Sequence, residues 1–166
     1  METLLNHLND CIDRQQNLYR KLLDLFIEER RAILASDLEA LNNVVMDKEL
    51  TLQNIRKEEI KRRQVGDEIA VRLGIDPEEL TITQLGKRVK EPYASEIKRR
   101  GVRLQTLIDE IQVESGRNRS LCLQALQFVS GSIKLLTTLK HPNRVYHATG
   151  RVQNEGHIGR MLSGAV

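Results

Sequence analysis

The chain has 166 residues, 40% of them apolar and 30% charged, with five aromatic residues, three prolines and a net charge of +3. That length can bury a real core in one domain, or in a domain plus a tail, and the apolar content excludes a fully disordered chain. Ten glycines and three prolines supply too few turns for an all-β sandwich, whereas charged residues mixed with Leu, Ala, Ile and Val are the composition of long helices or coiled coils.

The opening residues, Met1 to His7, lack the basic and apolar regions of a secretory signal. No apolar run approaches the roughly 18 residues of a membrane span, so no direct membrane insertion is expected. Residues 3–34 place Leu5, Leu8, Ile12, Tyr19, Leu22, Phe26 and Ile33 on a seam of alternating threes and fours, interrupted by Gln15 and Glu29. Leu4, Cys11, Leu18, Leu23 and Ile27 widen it, and the period predicts an amphipathic helix of coiled-coil type. Ser36-Asp37-Leu38-Glu39 follows a capping-box pattern, with Ser36 accepting from the Glu39 amide. One helix thus ends near Leu34 and another begins almost at once, as a hairpin or as a single bent helix.

In the second helix the seam runs through Leu38, Leu41, Val45, Leu52 and Ile55, with Lys48 interrupting. Glu58/Arg62 and Glu59/Arg63 form i,i+4 pairs worth ~0.2–0.5 kcal/mol each, so the run from Arg56 to Arg63 reads as a solvated face. Ile69 and Leu73 recover the stripe, and Gly74 closes the helix at a left-handed cap. Asp76-Pro77-Glu78-Glu79 starts anew with an N-cap, a first-turn proline and two acids. Residues 77–90 should hold one or two short helices, with Thr83 as a second cap.

Pro92 marks another restart. From Tyr93 a heptad runs through Ile97, Gly101, Leu104, Ile108, Ile111, Ser115, Asn118, Cys122, Ala125, Val129, Ser132, Leu136 and Leu139. Unbroken, it spans about 70 Å. Ser115 and Asn118 make a polar layer in this seam, and with Gly116 between them they soften its middle, so that a kink there would be unsurprising. His141-Pro142 stops the helix, and residues 140–166 hold four of the ten glycines. The predicted fold is all-α: an elongated left-handed antiparallel bundle of three long coiled-coil helices with short connecting helices. Residues 1–139 form the bundle and 140–166 a C-terminal tail.

The chemistry-bearing residues make no catalytic constellation. Cys11 and Cys122 lie 111 positions apart in apolar patterns and read as buried thiols of a reducing cytoplasm. His7, His141, His147 and His157 form no i,i+4 histidine pair and have no paired carboxylates beside them, so no metal site is expected. Phosphate loops, dinucleotide fingerprints and nucleophile elbows are missing too; no cofactor and no enzymatic activity are expected. Between Lys87 and Arg103 there are seven basic residues and two acids, a stretch able to meet phosphates. Tyr93 is its only aromatic and Glu96/Arg100 is an i,i+4 pair, so a solvated face is the better reading than a nucleic-acid interface.

In the tail, Tyr146 is an isolated aromatic with Gly150 four residues on, and Ile158, Met161, Leu162 and Val166 make one stripe if residues 157–166 become helical. That pattern suits a segment that docks in a partner's groove or offers one; a frayed terminus packing on its own bundle is the equal alternative.

Leu18-Tyr19-Arg20-Lys21-Leu22-Leu23-Asp24-Leu25, Glu28-Glu29-Arg30-Arg31-Ala32-Ile33, Asp37-Leu38-Glu39-Ala40-Leu41, and Lys48-Glu49-Leu50-Thr51-Leu52 leading to Leu73-Gly74-Ile75 form one series along the helices. In it the chain resembles the FlgN-type flagellar export chaperones of hook-associated (hook–filament junction) proteins. Where the family tends to show two asparagines three apart, this chain has Ser115 and Asn118, then Leu121-Cys122. Tyr146-His147-Ala148-Thr149-Gly150 resembles the family's Tyr-x-x-x-Gly at the start of the tail. The resemblance implies a cytoplasmic, non-enzymatic chaperone that holds aggregation-prone terminal helices of junction proteins and delivers them to the type III export gate. It implies that the C-terminal region binds the client and that Tyr146 docks on client or gate; Gly150 and the stripe of Ile158, Met161 and Leu162, read from the residues themselves, complete the candidate partner-binding set. A structural coiled-coil assembly protein, forming a homo-oligomer with no client, fits the same heptads. Through Leu139 the chain has 22 basic and 22 acidic residues, so the whole excess of +3 lies in residues 140–166. An acidic partner surface suits that tail.

Overall fold

The computed structural model describes residues 1–140, with side chains through Thr138. The elements are α1 (Glu2–Ala35), α2 (Leu38–Leu73), a 3-10 turn (Pro77–Glu79), α3 (Ile82–Arg88) and α4 (Tyr93–Lys140). All are helical, as the composition implies. Tyr146, Gly150, Ile158, Met161 and Leu162 lie outside the described residues.

Two separate helices, α1 and α2, replace the single bent one. Ser36 closes α1 in the left-handed conformation at φ 55°, and its amide donates back to Ile33. The N-cap of α2 is Asp37, whose carboxylate accepts from the Ala40 amide at 3.0 Å. The capping box expected on Ser36 is therefore displaced by one residue: Ser36 is occupied in reversing the chain, and the carboxylate next to it does the capping. At the other end, Gly74 sits at φ 66°, the left-handed cap expected of it. Asp76 caps the 3-10 turn with Pro77 in its first turn. Thr81 caps α3 rather than Thr83, accepting from Gln84 at 3.1 Å.

Cross-helix bonds give the topology. Between α1 and α2 the sequence separation falls from 44 at Arg14–Glu58 to 19 at Glu29–Lys48, so the two run antiparallel. Between α1 and α4 it stays between 84 and 92, from Gln16–Arg100 to Phe26–Asn118, so these two run parallel. The path is up, down and up again.

The principal core lies where the start of α1, the end of α2, α3 and the start of α4 meet. Leu5, Leu8, Ile12, Val65, Ile69, Leu85 and Ile97 form one cluster. Ile12, Ile69 and Ile97 are fully buried, each worth about 1.5–3 kcal/mol over an exposed position. Gly101, on the seam, lets α3 close in: a Cβ there would stand 2.9 Å from Ile82 Cγ2.

The inward face of α2 corrects the expected seam. Leu41, Val44, Lys48, Thr51, Ile55, Glu58, Arg62, Val65 and Ile69 turn inward to varying degrees, whereas Leu38, Val45 and Leu52 are exposed. Both phases share Leu41, Lys48, Ile55 and Ile69. The one that brings in Val65 wins, because that residue joins Ile69 in the principal core. Glu58 consequently points at α1, pairing with Arg14 (3.1 Å) and Lys61 (2.6 Å) in place of Arg62.

By its packing the chain divides after Leu123, inside α4. Up to that point α4 has a covered face, its last bonds to α1 being those of Asn118 with Phe26 and Glu29. In residues 124–138 the hydroxyls of Ser132 and Thr137 donate to their own helix, at the carbonyls of Phe128 and Ile133. Cys11 is buried, but Cys122 is exposed, contrary to expectation. An apolar pattern buries a side chain only where a partner face lies opposite.

Candidate functional site

The first feature is a polar layer near the end of the covered part. Each of the three long helices contributes a residue that interrupts an otherwise apolar stripe: Glu29 on α1, Lys48 on α2 and Asn118 on α4. Glu29 Oε2 accepts from Lys48 Nζ at 2.8 Å and from Asn118 Nδ2 at 2.8 Å. Asn118 Nδ2 also donates to the Phe26 carbonyl at 2.7 Å. The Lys48 ammonium stands 3.9 Å from the centroid of the Phe26 ring, a cation–π contact. The Lys48 and Glu29 side chains are only 15% and 13% exposed, so each charge depends on the other. Such a layer ties three helices at one level and penalises any slip of register. Ser115, one turn earlier on α4, is half-buried. Reading each helix separately marks these residues as interruptions and misses that they meet.

Beside this layer lies a shallow groove of about 560 Å³ between α1 and α4, lined by Arg30, Val113, Gly116, Arg117, Ser120 and Leu121. Gly116 opens it, since nothing lies within 4 Å of where its Cβ would be. Glu114 takes hydrogen bonds from both Arg30 and Arg117, leaving one cation of the two in excess at the rim.

The second feature follows directly on α4. Leu123, Leu126, Phe128, Val129, Ile133, Leu135 and Leu136 are between 52% and 77% exposed. Arg119 and Lys140 bracket a stretch whose only charged residue is Lys134. Scattered exposed leucines need no explanation, but seven large apolar side chains within fourteen residues of one helix make a sticky surface. No helix among the described residues is long and apolar enough to cross a membrane. The sequence pattern shows the apolar residues but not that none of the described residues covers them.

The basic run of the early α4 is partly spent internally. Arg100 donates to Asp13 on α1 and to Glu96 on its own helix, both at 2.9 Å, which strengthens its hold on the proton. Lys87, Arg88, Lys90, Lys98, Arg99 and Arg103 are exposed. Among the described residues no cluster of His, Cys, Asp or Glu could hold a metal ion.

The chain matches the family described as FlgN protein over residues 1–154. No curated protein and no solved structure gave a significant match. The family match covers the hairpin, the polar layer and the exposed part of α4 alike. The chain therefore belongs to the FlgN family, a family of flagellar export chaperones.

Proposed function

We propose that this chain is a cytoplasmic type III export chaperone that binds hook-associated proteins, prevents their premature assembly and delivers them to the export gate. The observation that carries the reading is the uncovered apolar face of α4 from Leu126 to Leu136 in a member of this family. Proteins that polymerise through terminal coiled-coil helices need those apolar stripes covered before export, and an unpartnered helix face offers a substitute partner. Residues 140–166 add Tyr146, Gly150, Ile158, Met161 and Leu162 and the whole net charge of +3. This tail extends the client contact and meets the acidic surface of client or gate. Delivery needs release, which favours a contact ordered only on binding.

The test is recovery of partners by the full chain from a flagellated cell, identified by mass spectrometry. Hook-associated proteins are expected, with loss of capture on deleting residues 140–166. A cytoskeletal or nucleic-acid set would overturn the reading in favour of an assembly protein or a basic-patch binder.

A further inference from the structure

The end of α4 carries an apolar stripe of its own. At about 100° per residue, Cys122, Leu126, Val129, Ile133 and Leu136 fall on one side of the helix. The last four are 52% to 66% exposed. Their flanks are Ala125, Ser130, Ser132 and Thr137, all small and uncharged. Lys134 points about 120° away from the stripe.

Three properties select an occupant. The stripe reads alike in both directions, Leu-Val-Ile-Leu at steps of three, four and three. Two copies laid antiparallel, with the two-fold axis level with Gly131, set Leu126 against Leu136 and Val129 against Ile133. That is the self-complementary pattern of an isologous contact. Next, no charge lies on the stripe or its flanks, so nothing repels a second copy. Finally, covering two such stripes with their flanks removes on the order of 1,000 Å² from water, the lower edge for a specific pair.

We infer that a second copy of this chain covers the stripe, as an antiparallel pair of α4 ends centred on Gly131. The pairing stands on α4 alone. Its consequence, that client and second copy compete for one surface, rests on the chaperone reading above.

The experiment uses the full chain and no client. Cys122 is exposed and Cys11 buried, so a spin label on folded protein goes to Cys122. Sedimentation should show a dimer, and the two labels should lie about 27 Å apart along the helices. An in-register parallel pair would bring them within about 10 Å. Leu126→Gln/Ile133→Gln should weaken the dimer at least about tenfold with unchanged helicity, while Leu50→Gln, also at an exposed apolar site, leaves it intact. A chain that stays monomeric at the highest soluble concentration, or labels at the short spacing, would overturn the inference. Pairing gained only on Ile158→Gln/Leu162→Gln would assign the stripe to the chain's own tail instead. No client is present in this experiment, so a missing dimer leaves the chaperone reading standing, and failed client capture leaves the dimer standing.

Discussion

The two parts of α4 use the same alphabet to different ends. From Tyr93 to Leu121 its seam meets α1: Ile97 is fully buried and Asn118 is locked to Phe26 and Glu29. From Leu123 to Leu136 equally apolar residues stand in solvent. Charge follows the division, since the first part carries many ions and the second only Lys134. The difference teaches that apolar periodicity states a demand for a partner without saying whether the chain itself supplies it.

Matched substitutions sharpen that contrast most. Ile97→Ala should lower unfolding free energy by about 2–5 kcal/mol, the range for emptying a packed aliphatic site. Ile133→Ala, the same change on the exposed stretch, should stay within about 0.5 kcal/mol in dilute protein. Denaturant melts of both variants check this. Equal losses would mean that Ile133 is packed in the folded monomer.

The polar layer should rank next. Glu29→Ala strands the Lys48 ammonium and removes an acceptor from Asn118, and about 1–3 kcal/mol should be lost, read by thermal melting with heat capacity taken into account. Lys48→Met with Glu29→Gln should restore part of that loss, because neither residue then carries a charge. A null effect of Glu29→Ala would remove the layer from the list of features that hold the three helices in register.

A smaller effect is expected with pH. Hydrogen bonding to Lys61, followed by the charges of Lys61 and Arg14, holds the Glu58 carboxyl below its ordinary range. A carboxyl whose folded pKa is depressed contributes stability above its unfolded value and loses that contribution as pH falls through the folded one. Stability should therefore decline on acidification below about pH 4, and less steeply in Glu58→Gln. Parallel acid curves for the two proteins would contradict this. The smallest change should come from Arg14→Gln, which breaks an ion pair with one exposed partner and should leave the melting temperature in low salt close to that of the parent chain.

Much of the helical frame is legible in the residues. Gly74, Asp76-Pro77 and Pro92 mark real boundaries because their backbone preferences act locally. The phase of α2 is harder, since Val45 and Leu52 look as good as Val44 and Thr51 until Val65, beyond the charged run, is allowed to decide. The cap at Asp37 adjoins Ser36 and the cap at Thr81 lies two residues from Thr83, each rival able to cap, and only the path of the chain separates them. The polar layer escapes a one-helix reading because its members are 19 to 92 positions apart. Cys122 shows the same gap from the other side: its neighbours are apolar, yet it is exposed.

The central claim is that the exposed stripe of α4 holds the client. Calorimetric titration of a terminal helix from a hook-associated protein into the full chain and into Leu126→Gln/Ile133→Gln tests it directly. The account predicts affinity weakened at least about tenfold with an unchanged melting temperature. Undiminished affinity in the variant would contradict it.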